Sequence, residues 1–171
     1  MELIQTVTVG SGGTANITFS SIPATFTDLF LVYSLRVNTT NGGLRIRVNG
    51  STASLSTRLL YGNGTTTASG TDTTYIGTVN NSNQTSNTFG SGSLYIPNYA
   101  NTSYAKSFSA EMVDETNATT ATQWVTAGLY NSTTAISGIE LFGDGAGNFL
   151  QYSSASLYGI LKGSDGIVTV S

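Results

Sequence analysis

Residues 106–113 read Lys-Ser-Phe-Ser-Ala-Glu-Met-Val, with Phe108, Ala110 and Met112 alternating against Ser107, Ser109 and Glu111. A period of two places successive side chains on opposite faces of an extended chain, so this segment reads as a half-buried antiparallel strand. The same alternation recurs upstream, where Leu44, Ile46 and Val48 are interleaved with Arg45 and Arg47. Working outward from these two segments predicts strands near 2–9, 14–20, 28–37, 43–49, 55–61, 73–79, 88–97, 104–114, 121–130, 136–142 and 149–161. The run Leu29 to Leu35 is apolar enough to be expected as a central strand covered on both faces.

The punctuation agrees with this spacing. Gly10-Ser11-Gly12-Gly13 is expected to close a tight hairpin between the first two strands, and Asn41-Gly42-Gly43 and Asn49-Gly50 mark turns that tolerate positive φ. Pro23 and Pro97 fall at predicted strand ends, where no ladder donor is needed. A helical turn is hinted at only over 113–120. The reading is therefore all-β: one domain over 1–171, an antiparallel, jelly-roll-like β-sandwich of ten or eleven short strands. Polar loops are expected at about 62–72 and 80–88, around a strand that holds Tyr75 and Ile76.

Composition narrows function. Charged residues make up 9% of the chain, against about 25% in an average protein, and the six basic residues leave a net charge of −3. Nucleic acid is excluded as a partner, because binding it needs clustered Lys and Arg. No stretch approaches the roughly 20 apolar residues of a spanning helix, and no basic amphipathic face is present, so no membrane partner is expected. The N-terminal residues lack the features of a secretory signal. The absence of Cys removes disulfides and thiolate metal sites, and the absence of His removes the usual general base.

Glu111, Asp114 and Glu115 cluster in sequence, as do Glu140 and Asp144. A glycosidase needs two carboxylates facing one cleft, whereas alternation sends Glu111 to solvent, so the acids read as surface residues. The segment 143–148, Gly-Asp-Gly-Ala-Gly-Asn, lacks the repeated Asp of a calcium loop and the Lys of a phosphate loop, and reads as a turn. Lys106 and Lys162 are the available amine bases, and neither lies in a Ser-x-x-Lys arrangement. No catalytic residue, metal ligand or cofactor is assigned, and the chain is expected not to be an enzyme.

Two residue sets are candidates for a partner interface. Arg45, Arg47 and Arg58 are expected to form a basic patch on neighbouring strands, either a salt-bridge strip against a partner subunit or a solvated strand face. Of the nine tyrosines, Tyr61, Tyr75, Tyr95, Tyr99 and Tyr104 are the interface candidates, and Tyr130 and Tyr152 also fall near loops. Tyrosine suits binding surfaces because it offers a flat apolar face and a hydroxyl at low entropy cost, although packing at the sandwich edge explains most of them equally well. Trp124, the single tryptophan, is expected to fill the core. The Asn-x-Ser/Thr triplets at Asn16, Asn63, Asn101, Asn117 and Asn131 follow from a chain rich in these residues, and no glycosylation is read into them.

Three segments carry a resemblance: residues 6–36, TVTVGSGGTANITFSSIPATFTDLFLVYSLR; residues 94–99, LYIPNY; and residues 141–160, LFGDGAGNFLQYSSASLYGI. Together they resemble small β-rich virion proteins of tailed bacteriophages, of the capsid decoration (cement) or tail fibre type, particularly those of aquatic and cyanobacterial phages. The resemblance implies a virion location after synthesis in the host cytoplasm. It also implies the major capsid protein and sister subunits, in a homotrimer, as partners. The terminal segments Glu2 to Val9 and Ile167 to Val170 are then expected to lie against the shell or a sister subunit. A receptor-binding tail-fibre or head-fibre module is the second reading, with the Tyr-bearing loops at 61–75 and 95–104 engaging host surface glycans.

Overall fold

The computed structural model describes residues 1–117 and 121–161. Lys162, the segment 167–170 and the end of the expected helical turn lie outside these residues; 114–117 contain no helix. The described chain is all-β, with a single 3-10 turn at Asp144–Ala146. Twelve strands are present: β1 (Glu2–Thr8), β2 (Asn16–Phe19), β3 (Asp28–Leu35), β4 (Gly43–Val48), β5 (Leu55–Gly62), β6 (Thr67–Asp72), β7 (Tyr75–Thr78), β8 (Gly90–Ile96), β9 (Lys106–Val113), β10 (Gln123–Tyr130), β11 (Ile139–Gly143) and β12 (Ser154–Ile160). They form two antiparallel sheets, an eight-stranded one in the order β1-β12-β3-β8-β9-β10-β5-β6 and a four-stranded one in the order β2-β11-β4-β7. The inner faces close on one core. Leu29, Leu31 and Leu35 of β3, Phe108 and Met112 of β9, and Leu44 and Ile46 of β4 are all buried within it. Each such side chain contributes about 1.5–3 kcal/mol by leaving water.

Period-two segments form strands because alternation gives each strand one face for the core and one for solvent. The buried–exposed alternation of β9 and β10 is complete from end to end. On the inner face, Phe108 lies directly opposite Gly128, and a Cβ there would collide with the Phe108 ring; the glycine is the space the ring occupies. Between the sheets, the buried Thr126 hydroxyl donates to the Ile76 carbonyl at 2.9 Å, linking β10 to β7.

Four expectations need correction. The polar segment 62–72 is not all loop: 67–72 is an edge strand paired with β5. It carries no apolar alternation because its inward side needs only Ala68 and Gly70 beside Tyr61 and Leu59. The hairpin is built by Asn63, whose side-chain oxygen accepts the amides of Thr65 and Thr66. The 10–13 segment is not a hairpin between partners, since β1 and β2 belong to different sheets and the turn crosses between them. β3 is central, flanked by β12 and β8, but only its inner face is fully covered; the other is half-buried. The last strand begins at Ser154 rather than 149.

The second polar segment, 80–88, is a loop, and a buried cation organises it. Arg36, 7% exposed, donates to the carbonyls of Gln84 (3.0 Å), Thr85 (2.7 Å) and Thr88 (2.9 Å). Lys106, 2% exposed, does the same for the segment after β10, donating to Ser132 O and Thr134 O at 3.2 and 2.7 Å. Burial lowers the pKa of both groups. Carbonyl dipoles replace the water each cation lost.

Candidate interface

The expected arginine patch does not form. Arg45 and Arg47 lie on β4 of the small sheet, whereas Arg58 lies on β5 of the large one. Arg45 is a clamp: it pairs with Asp72 at 2.9 Å and Asp144 at 3.1 Å, donates to Thr74 Oγ1 at 2.8 Å and lies over the Tyr75 ring. Arg47 pairs with Glu140 on the adjacent strand and covers Phe142 at 3.9 Å. Only Arg58 of the three is exposed and, among the described residues, without an acidic partner.

The acids are committed in the same way. Burial acts to raise the Asp72 pKa, but the amides of Thr74, Tyr75 and Thr73 and the Arg45 guanidinium outweigh it and bring the group down to about 2. Asp114 is buried and accepts from Thr122 and Gln84. It therefore stands apart from Glu111, which points outward from β9. Asp144 caps its own turn and pairs with Arg45. These carboxylates hold turns and strands.

The tyrosines divide sharply. Tyr61 and Tyr75 gather on Trp124: Tyr61 stacks on it at 4.0 Å and Tyr75 tilts against it at 5.5 Å. Burial pushes the Tyr75 phenol above its ordinary range. Tyr99 has no exposure and donates to the Pro23 carbonyl. Tyr99 belongs to the core, whereas Tyr61 and Tyr75 are partly buried against it and Tyr61 also lines the depression beside Leu60. Tyr95 lies half-buried on the outer face of the large sheet, donating to Asp28 at 2.8 Å. Tyr104 is 47% exposed.

What the structure does assemble is the outer face of the eight-stranded sheet. Strand register aligns Leu3, Tyr158, Phe30 and Tyr95 across β1, β12, β3 and β8. It also aligns Glu111, Val125 and Leu60 across β9, β10 and β5, with Val113 beside them. Leu60 is 58% exposed, Leu3 53%, Val125 45% and Val113 37%. Leu60, Val113 and Val125 line a depression of about 1000 Å³. At the ordinary strand spacing eight strands span roughly 34 Å. The remaining outward positions of β8, β9 and β12 include Ser91, Ser93, Ser107, Ser109, Ser154 and Ser156, small residues that keep the surface low. The outward positions of β3, β5, β8, β9 and β10 carry three charges, Asp28 at the start of β3, Arg58 and Glu111, and Glu115 lines the depression. Exposed apolar surface is thus grouped at two places on the face, Leu3 at the β1 edge and Leu60, Val113 and Val125 over β5, β9 and β10. Sequence reasoning located the alternation that creates the face but not its extent, which depends on strand order.

No family model matches the chain, and neither a curated protein nor a solved structure matches it.

Proposed function

We propose that this chain is a structural protein of the outer surface of a tailed-phage particle, a capsid decoration subunit that seats the outer face of its eight-stranded sheet on the shell. The observation that carries the reading is that face: broad, low, sparsely charged and, among the described residues, uncovered. The resemblance of residues 6–36, 94–99 and 141–160 to virion proteins supports the location. The role is binding alone. Contact area added across neighbouring shell subunits stabilises the closed shell by mass action. Sister subunits, in the trimer the resemblance implies, would cover the free edges β1 and β6, which otherwise present unpaired backbone groups.

Gold-tagged antibody against this chain, applied to intact particles of the phage that encodes it, tests the assignment. Gold spread over the head supports shell decoration. Gold confined to the tail moves the protein to host recognition, and no gold on particles whose epitope is accessible overturns the virion reading.

A further inference from the structure

A second surface has a different chemistry. Between the 11–13 turn, the 82–89 loop and the 148–152 segment lies a cleft of about 570 Å³, within the size range of small-molecule sites. At its rim stands Tyr152, 70% exposed, with φ of 74°. It is the third residue of a turn closed by the Ser153 amide on the Leu150 carbonyl at 3.0 Å, and its own amide is held by Val9 O at 3.1 Å. Left-handed backbone at this turn position normally falls to Gly or Asn. Among the described residues, the other non-glycine positive-φ positions are Asn, Ser and Ala; Tyr152 is the one aromatic. The strain is not offset by burying the ring, so an ordinary packing role does not account for the residue.

The walls specify the ligand. Asn87, Asn148 and Gln151 line the cleft, and among the described residues their side chains make no hydrogen bond. Each carboxamide therefore offers a free donor and a free acceptor. Among the described residues, Arg36 is the only charged residue lining the cleft, and its guanidinium is spent on the carbonyls of the 84–88 loop, so the site has little pull on anions. Among the described residues, no carboxylate lines it to attract a cation. A flat ring beside uncommitted amides, without net charge, matches a molecule with hydroxyls on its edge and C–H groups on its face.

We propose that this cleft binds a neutral saccharide, with Tyr152 stacking on a sugar ring and Asn87, Asn148 and Gln151 reading its hydroxyls. The site is separate from the outer sheet face, and its test does not depend on shell attachment.

The test is titration calorimetry of the full chain with malto-, manno-, galacto- and N-acetylglucosamine oligosaccharides, and with sialyllactose and a heparin octasaccharide as charged probes. Binding of at least one neutral probe with a Kd of about 1 mM or tighter is expected, weakened at least about tenfold in Tyr152→Gly and in Asn148→Ala and retained in Tyr152→Phe. Tyr152→Gly should melt no lower than the parent, because glycine relieves the backbone strain; lost binding therefore cannot be ascribed to unfolding. Absence of neutral-probe binding, preference for a charged probe, or unchanged binding in Tyr152→Gly each overturns the proposal.

Discussion

The two outward faces of the sandwich are opposites. On the four-stranded sheet, Arg45 and Arg47 meet Asp72, Asp144 and Glu140, so every charge there is answered within the chain. On the eight-stranded sheet, Arg58 and Glu111 have no ion-pair partner among the described residues and stand on either side of β10, beside exposed Leu60 and Val125. A face that satisfies itself gains nothing by meeting a partner, because contact would first desolvate completed ion pairs. A face with uncovered apolar surface gains from contact at once. Low overall charge thus conceals an asymmetry: among the described residues, all three side-chain ion pairs involve an arginine of the four-stranded sheet.

The largest effect should come from damaging the open face. Leu60→Lys with Val125→Lys is expected to weaken cosedimentation with shells stripped of the protein by about two orders of magnitude or more, with little change in melting temperature. Binding as tight as the parent's would mean that the contact lies elsewhere. The converse applies to the closed face. Arg45→Ala leaves Asp72 and Asp144 without their cation and should cost about 2 kcal/mol in urea unfolding, with shell binding unchanged.

Acid sharpens the same contrast. Asp72 has a folded pKa of about 2 against an ordinary 3.8. Its contribution is therefore present above pH 4 and is lost as pH falls from about 4 to 2. We expect a loss of roughly 1–2 kcal/mol across that window, discounted for partial exposure, and its disappearance in Asp72→Asn. The smallest effect belongs to Arg58→Ser, which should change stability by less than about 0.5 kcal/mol. A larger loss would mean that Arg58 is committed within the fold after all.

Much of the fold could be read from the residues, because alternation in segments such as 28–35, 43–48 and 106–113 reports a strand and its buried side directly. Edge strand β6 could not, since an edge needs little core contact and 67–72 contains no alternation; the Asn63-Gly64 pair was the available signal for its hairpin. Sheet membership was also hidden. Turn residues announce that the chain reverses, not whether the next strand joins the same sheet, which is why 10–13 was misread and Arg58 was grouped with Arg45 and Arg47. Of the tyrosines expected near loops, Tyr99 is fully buried and Tyr61 and Tyr75 are partly buried on Trp124, because loop position says little about which way a ring turns. Tyr152 was noted only as one tyrosine near a loop; its distinction is a backbone angle that no residue type reveals.

The strand order has a consequence for how the protein is made. None of β1 to β5 pairs with another of the five: β1, β3 and β5 have only β12, β8, β10 and β6 as neighbours in the large sheet, and β2 and β4 have only β11 and β7 in the small one. A ribosome that has released the first 62 residues has therefore released five strands without a single ladder partner. Apart from the β5–β6 hairpin and the β4–β7 pair, ladder formation during synthesis must wait for the second half of the chain, and for β1 until β12 has emerged. In the interval the exposed strands are kept apart by little more than the Thr, Asn and Ser that separate them. Slowing translation should thus bring no earlier native structure, only a longer period in which nascent chains can meet one another.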